Sequence, residues 1–134
     1  MDTQDERAGL NPTPYPLDHL ILRGEPASDA LVVGDDRLTY SQLGLVVGRT
    51  AATLLAWGLQ PGDRIATWMA KTRLACIMPL AAARAGLVHV PINPVLKHGQ
   101  AAHILADSGA RLLIANRARL DSLERDDLAD AGTI

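Results

Sequence analysis

The chain has 134 residues, 48% of them hydrophobic, with thirteen lysines and arginines against fifteen aspartates and glutamates and a formal net charge of −2. That length and apolar fraction suit one globular domain with a buried core and exclude a disordered chain. Charges of both signs are dispersed, which argues against a nucleic-acid or anionic-membrane partner, and the single cysteine, Cys76, excludes an internal disulfide or a cysteine zinc cluster.

Residues 1–16 are polar and acidic and place Pro12, Pro14 and Pro16 within five positions. Proline fixes φ and lacks an N–H, so this stretch reads as a flexible, extended leader, and it has neither the basic start nor the apolar run of a signal peptide. Residues 17–134 read as the folded unit. It opens with a short helix over 17–24, carrying Leu17, Leu20 and Ile21 on one side and ended by Gly24 and Pro26. Residues 30–33 and 38–40 flank the turn Gly34-Asp-Asp-Arg37 as a small hairpin. Ser41 has the place of an N-cap for a long helix to Trp57, in which Leu43, Val46, Val47, Leu54 and Leu55 recur at helical spacing before Gly58.

Strands predicted at 64–69, 87–90 and 111–115 then alternate with helices at 72–85, 97–108 and 117–131, with Gly86 and Gly109 as stops. Strands separated by whole helices need crossover connections and therefore pair in parallel. The expected fold class is α/β: a three-layer, mainly parallel sheet flanked by helices, with a small N-terminal hairpin. The alanine-rich helix 72–85 predicts close packing on that sheet. The longest apolar segment, around 75–83, is too short to span a bilayer, which with the absent signal peptide predicts a cytoplasmic protein without a membrane span.

Ligands of an open parallel sheet lie beyond the carboxyl ends of its strands, which places the loops 70–73, 91–97 and 116–119 on the functional edge. Pro91 and Pro94 pre-organise the second loop or simply end a strand ahead of a helix. Lys71, Arg73, Lys97, Arg117 and Arg119 form either a phosphate-attracting group or a solvated rim. His98 and His103 are five apart and do not share a helix face, so no metal ligands are assigned. Asp35-Asp36 belongs to a turn and Asp126-Asp127 to a charged helix face. Neither Ser41 nor Ser108 lies in a G-x-S-x-G elbow, and no G-x-G-x-x-G or G-x-x-x-x-G-K-[ST] loop occurs. No catalytic residue is assigned.

Five blocks carry a family likeness: Leu38-Thr-Tyr-Ser-Gln-Leu43, Gly58-Leu-Gln-Pro-Gly-Asp-Arg-Ile65, Ala82-Ala-Arg-Ala-Gly86, Val90-Pro-Ile-Asn-Pro94 and Ile104-Leu-Ala-Asp-Ser-Gly-Ala-Arg-Leu-Leu-Ile114. In this order and spacing they resemble the start of the adenylate-forming superfamily, the AMP-forming acyl-CoA synthetases and their relatives. More narrowly, Lys71-Thr72 and Pro91-Ile-Asn-Pro-Val-Leu-Lys97 followed by Gln100-Ala-Ala-His-Ile-Leu105 resemble the exosortase-associated acyl-CoA ligases.

The resemblance implies a partial N-terminal subdomain of the acyl-CoA synthetase fold. It also implies a parent reaction in which a carboxylate attacks the α-phosphate of ATP, releasing pyrophosphate, and the thiol of CoA then displaces AMP. ATP, Mg²⁺ and CoA are implied for the full-length enzyme, together with a Ser/Thr/Gly-rich loop with a lysine and a mobile C-terminal domain. None of those motifs is in this sequence, so the expectation is a scaffolding fragment that binds none of these cofactors itself. Its partners are then the remainder of the ligase chain, with a small-molecule carboxylate and CoA reaching the whole enzyme. Pro94, Val95 and Leu96 and residues 117–121 match positions near the CoA nucleotide, where Arg117 and Arg119 are placed to pair with a CoA phosphate. Some relatives have glycines where Pro94 and Val95 stand, and the side chains here obstruct the same close backbone approach. The alternative is a free-standing, non-catalytic interaction or regulatory module with the same fold. A sheet completed by later strands would leave an unpaired edge and an apolar face, so self-association is expected.

Overall fold

The computed structural model describes residues 13–133, so most of the leader expected at 1–16 lies outside the described residues. The helix expected at 17–24 is a 3-10 helix, Leu17–Arg23. It is tied to the body by Asp18, only 7% exposed, whose carboxylate accepts from Arg84 Nε at 3.2 Å. The same arginine donates through Nη1 to the Gly44 carbonyl at 3.0 Å, so one guanidinium holds three segments. Gly24 ends the element against the ring of Tyr40, where a Cβ would collide.

The hairpin pairs β1 (Asp29–Val33) with β2 (Asp36–Thr39), Val33 opposite Asp36. Its turn is the two residues Gly34-Asp35, and Gly34 takes φ +60, which costs glycine nothing. Helix α1 (Tyr40–Ala56) follows without a break. Its N-cap is Thr39 rather than the expected Ser41. Thr39 Oγ1 accepts from Gln42 N at 3.2 Å while Gln42 Oε1 accepts from Thr39 N at 2.9 Å. That reciprocal pair needs a side-chain acceptor three residues on, and the residue three beyond Ser41 is Gly44, which has none.

The main sheet has four strands in the order β4-β3-β5-β6, every neighbouring pair parallel: β3 (Arg64–Trp68), β4 (Val88–Pro91), β5 (Leu112–Ala115) and β6 (Gly132–Thr133). Helices α2 (Arg73–Arg84) and α3 (His98–Ser108) make the crossovers that parallel pairing requires. Thr72 caps α2, its Oγ1 accepting from Ala75 N at 3.2 Å. Alternation along the central strand divides the core. Ile65 packs with Val47, Leu54, Met78 and Ala81 of α1 and α2, whereas Ala66 and Trp68 pack with Ala101 and Leu105 of α3 and with Leu113. The result is the expected three-layer architecture, helices on both faces of a parallel sheet, with the hairpin a separate two-stranded sheet against α1. No helix among the described residues is long and apolar enough to cross a membrane.

The helix expected at 117–131 is not continuous. Helix α4 stops at Asp121 (Arg117–Asp121), a 3-10 helix follows (Arg125–Leu128), and the chain then pairs with β5 as β6. Ser122 Oγ donates to the Arg119 carbonyl at 2.6 Å, occupying an acceptor that a continuing helix would use, and Ala129 takes φ +49. Gly132 N donates to the Arg111 carbonyl at 3.0 Å, so the open side of β5 finds a partner.

Leu113 is fully buried in the central part of the sheet and Val95 is 78% exposed. In urea denaturation, Leu113→Ala should lower stability by about 2–5 kcal/mol, and Val95→Ala by less than about 0.5 kcal/mol.

Candidate functional site

Because β3, β4 and β5 run the same way, their carboxyl ends and following loops gather at one edge. The loop after β4 is stitched to the sheet by Ile92, whose N–H donates to the Thr67 carbonyl at 2.8 Å and whose side chain is buried. Between the two prolines and α3, Asn93 organises a turn. Its Oδ1 accepts from Val95 N and its carbonyl from Leu96 N, each at 3.0 Å. Lys97 N donates to Gln100 Oε1 at 3.1 Å, which starts α3. The stiffness expected from Pro91 and Pro94 is thus reinforced by side-chain bonds. Val95 is left pointing outward, an exposed apolar residue at the rim.

Arg119 sits opposite this loop. Asn116 Oδ1 accepts from Arg119 N at 3.0 Å and sets the start of α4. The guanidinium then reaches back, donating through Nη2 to the Pro94 carbonyl at 2.7 Å, and its Cζ lies 5.5 Å from the ring centroid of Trp68. Trp68 is 2% exposed, so this cation lies over a buried ring at the end of the central strand. Arg117 is two residues earlier on α4 and exposed, and residues two apart on a helix face different ways. The structure therefore does not bring Arg117 and Arg119 onto one face. Of the other cations grouped from sequence, Arg73 turns to Asp36 of the hairpin, Nε to Oδ2 3.2 Å. Lys71 and Lys97 are exposed, with no ion pair among the described residues.

A cavity of about 780 Å³ opens beside β4 on the α2 side of the sheet. Ala75, Pro79 and Ala83, four residues apart on one face of α2, leave the room for it, and Leu17 closes one wall. Its polar lining is Asn93 at the loop and a bonded pair, Thr67 Oγ1 and His89 Nε2, 2.8 Å apart. Burial lowers the pKa of His89 from its ordinary 6.5 because the charged ring loses water. His98 and His103 lie outside this pair on α3, and the described residues contain no group of three or more His, Cys, Asp or Glu that could hold a metal ion. Neither the Thr67–His89 pair nor the Arg119 contact has a sequence signature. Both join residues on different strands or loops, far apart along the chain.

A family model described as AMP-binding enzyme matches residues 21–133. The chain belongs to that family. It is 37% identical over 90 residues to the long-chain-fatty-acid--CoA ligase FadD13 of Mycobacterium tuberculosis, which covers 67% of this chain and 17% of the relative. It is 39% identical over 93 residues to malpibaldin synthetase of Mortierella alpina, covering 69% of this chain and 2% of that protein. The chain therefore spans less than a fifth of the length of these curated relatives. Among solved structures, the N-terminal subdomain of NpsA from Klebsiella oxytoca superposes with a TM-score of 0.76 at 25% identity, covering 87% of this chain and 29% of that one. The architecture is thus that of the N-terminal subdomain of adenylate-forming enzymes.

The lowered pKa of His89 has a definite sign. The unfolded chain binds the proton more tightly than the folded one, so stability attributable to this ring is lost as pH falls from 6.5 toward the lower folded value. Denaturation midpoints measured from pH 7.5 to 5.5 should fall, and His89→Gln should flatten that dependence.

Proposed function

We propose that the chain forms the opening part of an AMP-forming acyl-CoA ligase, in which it is scaffold rather than catalyst. The observation that carries this reading is the family match across residues 21–133 together with a relative named as a CoA ligase at 37% identity. On this reading the carboxylate attacks the α-phosphate of ATP in the whole enzyme, giving an acyl adenylate and releasing pyrophosphate, and the thiol of CoA then takes the acyl group and releases AMP. The carboxyl edge of the sheet then faces the CoA nucleotide. Arg117, Lys71 and Lys97 are exposed there, a donor set that fits an anionic phosphate. ATP and Mg²⁺ belong, on this reading, to the remainder of the ligase. On this reading the protein is placed in the cytoplasm, where its single cysteine would stay a free thiol. The narrower exosortase-associated subfamily rests on Lys71-Thr72 and on the loop Pro91-Ile-Asn-Pro-Val-Leu-Lys97 followed by Gln100-Ala-Ala-His-Ile-Leu105.

The remainder of the ligase would pack against β4. That strand is terminal in the sheet, Val88 on it is 46% exposed, and the neighbouring cavity is lined mainly by apolar side chains, with Leu17 at its wall 48% exposed. Left uncovered, the same surface favours self-association. Sedimentation should show mass rising with concentration and a hydrophobic dye should bind. A monomer that ignores the dye would contradict this part of the reading.

The decisive test is a chimera in which this chain replaces the matching segment of the FadD13 ligase. Retained acyl-CoA formation supports the scaffold reading. A folded chimera that cannot form acyl-CoA favours a free-standing interaction module, and AMP formation by the chain unaided would overturn the non-catalytic assignment. In the active chimera, Arg117→Ala should raise the KM for CoA about two- to five-fold, the effect of one exposed charge pair, with kcat little changed.

A further inference from the structure

We propose that Arg119 is a positioning residue rather than a phosphate ligand: its guanidinium braces the loop after β4 against the end of β3, fixing the edge that Arg117 and the two lysines overlook. The inference rests on the proposed CoA-facing role only for its consequence, since the brace itself is a matter of local geometry.

Three contacts converge on this residue, one on its backbone and two on its side chain. The backbone of Arg119 is fixed by the Asn116 side chain at 3.0 Å, so the residue leaves α4 in a set direction. Its Nη2 bonds the Pro94 carbonyl at 2.7 Å, the short distance typical of a charged donor. The planar cation lies 5.5 Å from the ring centroid of Trp68. Arg119 is half-buried where Arg117 is exposed, so its cation is partly withdrawn from solvent. Three of the four parallel strands contribute: β3 through Trp68, β4 through the Pro94 loop, β5 through Asn116 and α4.

Pro94 is the one residue between Asn93 and Val95, and Asn93 holds the amides of Val95 and Leu96. The Pro94 carbonyl accepts this bond between the residues of the Asn93 turn, so the arginine grips the turn at its middle. Without the grip, the Asn93 turn keeps only bonds internal to itself, which open locally at little cost. Lysine is a poor replacement. It can reach one carbonyl, but it has no plane to lie over the indole.

Amide hydrogen exchange on the chain itself tests this without any ligand. In Arg119→Ala, exchange at Val95 and Leu96 should accelerate about ten-fold or more, the loss of one charged hydrogen bond, while the amides of Ile65, Ala66 and Leu113 hold their rates. In a Trp57→Phe background, where Trp68 is the only indole, its emission should shift to the red in the same variant. Arg119→Lys should fall between wild type and alanine in both readouts, and Arg117→Ala should change neither. If Val95 and Leu96 exchange as in wild type, or if all amides accelerate together, the brace is refuted. Should Arg119→Ala fail to fold, Arg119→Lys decides by the same local-against-global comparison. Failure of the CoA reading would appear instead in the chimera's KM, leaving these exchange rates as they are.

Discussion

The central strand β3 is the constraint on which the rest depends. Its residues Ile65, Ala66 and Trp68 are almost entirely buried, and strands pair with it in parallel on both sides. A strand segment covered on both faces has no solvent-facing side on which to place polar residues, and residues 65–68 accordingly hold apolar side chains and a single hydroxyl, Thr67, which bonds to His89, while the exposed Arg64 stands at the strand's start. Parallel pairing then forces each return path through a helix, and α2 and α3 take the two faces of the sheet. The gathering of three strand ends at one edge follows without further specification. Function is proposed for that edge because topology leaves its loops both clustered and rigidly mounted.

Two arginines secure the parts of the molecule that burial of apolar surface leaves loose. Arg84 joins the 3-10 helix to α1 and α2 through Asp18 and the Gly44 carbonyl, in a polar contact that is partly shielded from water. Arg119 joins the loop after β4 to the end of β3 through a carbonyl and an aromatic face. In both, a planar cation with several donors satisfies groups from different segments at once, which an ammonium group would do less well. Exposed pairs such as Arg37–Asp29, at 2.7 Å with both side chains half or more exposed, hold much less.

The alternation of apolar strands with alanine-rich and glycine-stopped helices made the parallel sheet and its three layers legible, because the crossover rule leaves few other arrangements. The family blocks were legible for the same reason: Gly58, Gly62 and Gly86 take positive φ at turns between elements, and such positions punctuate a sequence. The end of the chain was not. Its charged residues have a helical spacing, but β5 presented an unsatisfied edge, and pairing with residues 132–133 is a long-range event that local periodicity does not record. The loops 70–73, 91–97 and 116–119 follow three parallel strands and so gather at one edge as their spacing implies, yet the different fates of Arg117 and Arg119 depend on a contact across 25 residues of chain with a proline carbonyl. No spacing rule anticipates that contact.

The most direct test of this account is the register of β3 against its neighbours in solution. Nuclear Overhauser contacts between isotope-labelled strands should pair Ile65 with His89 and with Leu112, and Thr67 with Pro91 and with Ile114, residue numbers rising together on all three strands. Numbers falling on one strand as they rise on the next, or an absence of contacts between β3 and β5, would contradict the parallel architecture and with it the shared edge on which the proposed function rests.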